Sequence, residues 1–294
     1  MTEKKVIIGI DLGTTNCTMA YTEYPKGDAT TPSSPPSLHQ SPISQIIAPN
    51  EQSHNSSLPS FIYFPLIEEL SSHNVSLSWD TTRSFCVGHH AQKRGGEVPS
   101  RLISSAKSWL CHEGIDRRKK TLPIGAHDDI MMSPVEATTQ LLQHLKESWN
   151  HEHPDIAFDD QMILITVPAS FDPSARQLVQ EAAEHAGYPS DLILLEEPLA
   201  AFYSWLHSNE ESWRDTLSTD DTILVIDIGG GTTDFTLIKV RDNEGNLELE
   251  RQAVGSHLLL GGDNIDLQLA YLAYNKFEEE GHDVDEWHLR SLIH

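Results

Sequence analysis

A chain of 294 residues is long enough for two compact units that each bury a core of their own, so one small domain is excluded. A formal net charge of −24 repels phosphate backbones and anionic membranes, which argues against nucleic acid and membrane surfaces as partners. Three cysteines, Cys17, Cys86 and Cys111, are odd in number, widely spaced and free of any CxxC pair, so neither a disulfide framework nor a zinc knuckle is expected.

In chain order, Met1 to Lys5 lead directly into a short strand-like run, and no apolar stretch reaches the length of a signal peptide or a bilayer span, so the expected location is cytoplasmic. Val6 to Asp11 is apolar and ends in Asp-Leu-Gly-Thr-Thr, and Cys17 to Tyr24 resumes strand-like character, which predicts a hairpin around a polar turn. Thr30 to Pro42 is rich in Pro, Ser and Thr and is expected to be a flexible surface insertion. Leu58 to Leu66 reads as a strand and Arg101 to Leu110 as a helix, while the basic run Arg117 to Lys120 reads as a solvated face. Ser133-Pro134 followed by Glu136 is a helix start, continued by the spacing of Leu141, Leu142 and Leu145. Met162 to Val167 predicts a strand, Pro173 to Ala186 an amphipathic helix closed by Gly187, and Leu192 to Leu195 a second strand parallel to the first. Pro198 to His207 predicts a helix, Thr222 to Asp227 a buried strand, Phe235 to Val240 another strand, and the acidic stretch Phe277 to Glu286 a solvated helix end and loop.

Two of the turns share a plan. Ile8-Gly-Ile-Asp-Leu-Gly-Thr-Thr-Asn16 and Val225-Ile-Asp-Ile-Gly-Gly-Gly-Thr-Thr-Asp234 each run from apolar strand to terminal Asp, then glycine, then paired hydroxyls. Glycines allow close backbone approach, so successive N–H groups and Thr hydroxyls can address phosphate oxygens. The strand-end carboxylates of Asp11 and Asp227 would repel phosphate unless a cation lies between, which points to Mg²⁺ held mainly through water. Each turn taken singly is also compatible with an ordinary hairpin, and neither has the spacing of a Walker loop or a dinucleotide fingerprint. A third segment, Leu194-Leu-Glu-Glu-Pro-Leu-Ala-Ala-Phe202, sets a carboxylate at a strand end before a helix-starting Pro, with small Ala200 and Ala201 behind it. His89-His90 beside Cys86, and Cys111-His112, lack the spacing of a closed metal site.

These segments resemble the phosphate and connecting motifs of the superfamily that joins actin, sugar kinases and heat-shock chaperones. Gly-Ile-Asp-Leu-Gly-Thr-Thr-Asn, Val-Pro-Ala-Ser-Phe and Leu-Gly-Gly-Asp-Asn-Ile-Asp are similar to the seventy-kilodalton heat-shock chaperones, with Leu58-Pro-Ser60, Met132-Ser-Pro-Val-Glu136 and Ala175-Arg-Gln177 in the same order. Thr22 to Pro49 is not covered, and Val87 to Lys120 looks closer to a divergent bacterial branch. The resemblance implies an α/β, actin-like (ribonuclease H-like) ATPase fold of two lobes. Residues 1–218 would form lobe I, with a core of 1–57 and 134–218 and an insertion of 58–133, and 219–294 would form an incomplete lobe II.

It also implies roles. Asp11 and Asp227 would organise the Mg²⁺ water shell. Gly13, Thr14, Thr15 and Asn16 would contact ATP or ADP from one lobe, and Gly229, Gly230, Gly231, Thr232, Thr233 and Asp234, with Gly261 and Gly262, from the other. Lys107, Glu197 and Asp227 would serve catalysis, Lys107 by orienting water and offsetting charge, Glu197 by holding that water. Ser108 stands where the family has an Arg. The family continues past the equivalent of His294 into parts that clasp adenosine and bind client peptides, so weaker nucleotide affinity is expected of this chain. A J-domain cochaperone and a nucleotide exchange factor are the implied partners. A small-molecule (sugar) kinase of the same fold and a non-catalytic nucleotide-sensing module are the competing functions.

Overall fold

The computed structural model describes residues 5–24, 37–71, 74–112, 114–126, 130–209, 212–243, 246–256 and 258–293. It is a mixed α/β structure with several sheets. The N-terminal hairpin forms from β1 (Val6–Leu12) and β2 (Asn16–Glu23), antiparallel from Val6↔Glu23 to Leu12↔Cys17. Val6, Ile8, Ile10 and Leu12 alternate into the core, which leaves Asp11 on the opposite face at the strand end.

β3 (His39–Gln40) pairs with β2, followed by the hairpin of β4 (Ile43–Ala48) and β5 (Glu51–Asn55). The flexible insertion expected over Thr30 to Pro42 is therefore corrected at its C-terminal end, where main-chain pairing to β2 orders His39 and Gln40; its 30–36 portion lies outside the described residues. The single strand expected over Leu58 to Leu66 is split into β6 (Leu58–Pro59), which pairs with β2, and β7 (Ile62–Tyr63), which joins a separate sheet. Pro59 has no N–H to continue a ladder, and Ser60 turns the chain by bonding to the first turn.

α1 (Ile67–Ser71), β8 (Cys86–Val87) and α2 (His89–Glu97) follow. The helix expected over Arg101 to Leu110 is also corrected. Leu102 and Ile103 form β9 beside β7, and only α3 (Ala106–Trp109) is helical. Ser105 between them adopts φ 54°, a left-handed conformation that breaks the run. The basic run lies in an exposed turn, with Arg118 paired to Glu181.

α4 (Pro134–Glu152) begins with a capping box: Ser133 accepts from the Glu136 amide at 3.0 Å, and the Glu136 carboxylate accepts from the Ser133 amide at 2.7 Å. β10 (Met162–Val167), α5 (Pro173–His185) and β11 (Ile193–Glu196) form the expected strand, helix, strand unit, parallel from Leu164↔Ile193 to Val167↔Glu196, with Gly187 at φ 75° ending the helix. β10 also lies parallel to β1, giving the order β11-β10-β1-β2-β3 with β6 against β2. Trp149, Leu141, Leu142 and Leu145 of α4 and Leu178, Val179, Ala182 and Ala183 of α5 share one apolar core with Ile8, Ile10, Ile163 and Ile165 of this sheet.

After α6 (Glu197–Ser208) and α7 (Trp213–Thr216), the chain forms a three-stranded antiparallel sheet of β12 (Thr222–Ile228), β13 (Thr233–Asn243) and β14 (Asn246–Val254). The buried character expected of Thr222 to Asp227 is corrected: Leu224, Ile226 and Ile228 are at least half exposed, because β12 is the edge strand of its sheet and α6, through Ala201, Phe202 and Trp205, covers it only in part. α8 (Gly262–Glu279) and α9 (Glu286–Ile293) complete the described structure. Among the described residues no helix is long and apolar enough to cross a membrane.

Candidate functional site

Parallel strands open their carboxyl ends toward the same side of a sheet, and the candidate site is built there. The register Ile10↔Ile165 sets Asp11 beside Thr166, whose hydroxyl donates to Asp11 Oδ1 at 2.7 Å, and Val167↔Glu196 brings the next strand end alongside. Glu197 is the first residue of α6, with Pro198 immediately after it. On the other side, Asp227 is the penultimate residue of β12, opposite Asp234 across the hairpin. A cleft of about 600 Å³ separates these elements, and its lining includes Asp11, Asn16, Lys107, Glu197 and Asp227.

The two glycine turns meet across this cleft. A Cβ at Gly230 would overlap the Thr15 side chain, and one at Gly231 would displace the Ser108 hydroxyl and crowd Thr14, so the two turns approach closely at their glycines. Each turn also has its carbonyls engaged by a neighbouring segment. Ser60 donates its hydroxyl to Gly13 O at 2.8 Å and its amide to Thr15 O at 2.8 Å. In the second turn, the Gly262 amide reaches Gly229 O at 3.0 Å and the Asp263 amide reaches Gly230 O at 2.7 Å. Ser105 Oγ donates to Asp263 Oδ2 at 2.6 Å, which ties the start of α3 to the start of α8.

Of the residues singled out in the sequence, Asp11, Gly13, Thr14, Thr15, Asn16, Lys107, Glu197, Asp227, Gly229, Gly230 and Thr232 line the cleft. Gly231, Thr233, Asp234, Gly261 and Gly262 do not. Gly231 packs on Ser108, and Gly261 lies against the carbonyls of Gly229 and Gly230. The Thr233 hydroxyl bonds to Leu260 O at 2.8 Å, and Asp234 is buried behind Asp227. Sequence reasoning gave no role to Thr18, Thr166 or Ser204, which also line the cleft. An isolated hydroxyl at a strand end or on a helix has no signature of its own, and only the strand register reveals Thr166.

Lys107 is buried, with Nζ bonded to Glu197 Oε1. Burial raises the Glu197 carboxyl above its ordinary range; the Lys107 ammonium works against that, and Asp11 and Asp227 reinforce it. Asp227 is raised for the same first reason. The buried Cys17 thiol, 3.3 Å from Ser60 Oγ, is pushed up to about 11 by burial and stays protonated at neutral pH. Three carboxylates facing one lysine leave an excess of negative charge. A bound polyphosphate is compatible with that excess only if a cation accompanies it. The glycine turns, Thr hydroxyls and Lys107 fit phosphate oxygens, and Asp11 and Asp227 fit a hydrated Mg²⁺.

Comparison with known proteins bears on this arrangement. A family model described as Hsp70 protein matches residues 102–290, well over half of the chain. The chain belongs to the Hsp70 family. Chaperone protein HscA of Proteus mirabilis (strain HI4320) is 31% identical over 198 residues, covering 63% of this chain and 29% of that protein. The chain thus spans less than a third of the curated relative it matches. The Hsp70 match takes in Lys107, Glu197 and the second glycine turn and begins after the first turn, whose membership in the site rests on its contact with Gly230 and Gly231.

Proposed function

We propose that this chain is the nucleotide-binding part of an Hsp70-type chaperone, binding ATP with Mg²⁺ between two lobes of an actin-like fold and hydrolysing it to ADP and phosphate. Residues 1–218 make up the first lobe, with 58–133 as its insertion, and 219–294 belong to the second. The observation that carries this reading is the packing of Gly230 against Thr15 beside a buried Lys107–Glu197 pair.

The chemistry follows from placement. Backbone and hydroxyl groups of Gly13 to Asn16 and Gly229 to Thr232 hold the phosphate chain from two sides. Asp11 and Asp227 would hold the hydrated Mg²⁺, which offsets phosphate charge when bound. Glu197 orients water for in-line attack on the terminal phosphoryl group, and Lys107 stabilises the negative charge that develops there. The reading extends to a cytoplasmic protein stimulated by a J-domain cochaperone and reset by an exchange factor. HscA, by its name a chaperone, supports the chaperone rather than the kinase assignment.

The deciding experiment measures Mg²⁺-dependent phosphate release from ATP, with and without a panel of sugars. Slow release that is independent of sugar is expected, and Lys107→Ala should lower it roughly a hundredfold or more with the circular dichroism spectrum unchanged. Phosphate transfer to a sugar would establish a small-molecule kinase. ATP binding without turnover, in both wild type and Lys107→Ala, would establish a sensing module.

A further inference from the structure

Glu196, the residue just before Glu197, carries a contact that the proposed chemistry does not use. Its Oε1 accepts from two guanidinium groups: Arg176 Nη2 of α5 at 2.7 Å, and Arg251 Nη1 of β14. Arg176 belongs to the same body as Glu196, and its Nε is tied to Phe171 O at 3.2 Å. Arg251 belongs to the other sheet. The contact therefore joins the β11 strand end, next to the cleft-lining Glu197, to the three-stranded sheet.

Two features set it apart from an incidental surface pair. The Glu196 side chain is only 14% exposed, so its charge has lost most of its water and depends on its partners. Arg251 also sits at an irregularity of the β13–β14 ladder, where pairing steps from Leu237↔Ala253 to Ile238↔Arg251 and leaves Gln252 as the extra residue. Bulges of this kind re-aim side chains and occur beside functional sites.

We propose that Arg251 is a positioning residue: by holding the second sheet against Glu196, it makes closure of the cleft and the setting of the Glu197 carboxylate a single event. Glu196 immediately precedes α6 and Glu197 is its first residue, so one peptide unit separates the latch from the carboxylate bonded to Lys107. When Arg251 lets go, the sheets part and Glu197 loses its fixed setting. The kinetic consequence rests on the nucleotide reading given above, whereas the latch itself does not.

The test uses the full chain with spin labels at the exposed positions Glu184→Cys in α5 and Asp266→Cys in α8, on a Cys111→Ser background. Without nucleotide, Arg251→Ala should lengthen and broaden the distance distribution, and Arg251→Lys should restore most of it. Glu196→Gln should add little to Arg251→Ala, because partners in one contact are not additive. In parallel, ATP dissociation should quicken about tenfold in Arg251→Ala, as expected for loss of one charge-assisted hydrogen bond, and recover in Arg251→Lys. Unchanged distances in Arg251→Ala, or a lysine variant no better than alanine, would overturn the latch. Absence of ATP binding in wild type, with the distances shifting as described, would instead overturn the nucleotide reading and leave the latch standing.

Discussion

Burial raises the Asp227 carboxyl, the Lys107 ammonium pulls it back, and the carboxylates of Asp234 and Asp11 push it up again. A carboxyl raised on folding binds its proton more tightly in the native state, so its contribution to stability is present at low pH and is lost as pH rises through the native value. Ionised Asp227 therefore opposes folding at neutral pH. Asp227→Asn should melt a few degrees higher than wild type at pH 7, with the difference vanishing below about pH 4, where the acid is protonated in both states. The same substitution should reduce ATP turnover by about a hundredfold, since it removes a charge that the cation and phosphate require. A lower melting temperature at pH 7 would show that Asp227 is held by favourable contacts instead. Asp11 and Asp227 stood out in the sequence because two turns share one plan of apolar strand, acid, glycine and paired hydroxyls, although either turn alone is compatible with an ordinary hairpin. Thr166 did not, since its meaning comes from the strand beside it.

Elements were legible where local chemistry decides them. The helix start at Ser133-Pro134 and the apolar run of β10 are decided locally and appear as read, the first with a Ser133–Glu136 capping box that the structure adds. Ser133→Ala should cost about 1 kcal/mol in urea unfolding and leave nucleotide affinity unchanged. Leu58 to Leu66 was misread because its two halves pair with different strands, β6 with β2 and β7 with β8 and β9, and Arg101 to Leu110 because Leu102 and Ile103 pair with β7. The second glycine turn offers a sharper test of the site. Gly230→Ala introduces a Cβ into the space filled by Thr15, so the turns must part. Calorimetry should then show ATP affinity reduced at least tenfold with a melting temperature near wild type. Wild-type affinity in this variant would mean that the turns need not meet for binding.

At the scale of the whole molecule, sequence could pair the two turns only through their shared wording and a family resemblance. The folded chain adds the physical reason they belong together: β1, β10 and β11 end at one cleft edge, β12 ends at the other, and the glycines of one turn rest on the threonines of the next. The family match supports the chemistry but begins after the first turn, and the HscA match covers 29% of that relative's length. A crystal structure with a non-hydrolysable ATP analogue and Mg²⁺ is the most direct measurement. The account predicts phosphate density between Gly13 to Asn16 and Gly229 to Thr232, with the metal between Asp11 and Asp227. Nucleotide bound elsewhere, or phosphates touching one turn while the other stands apart, would contradict it.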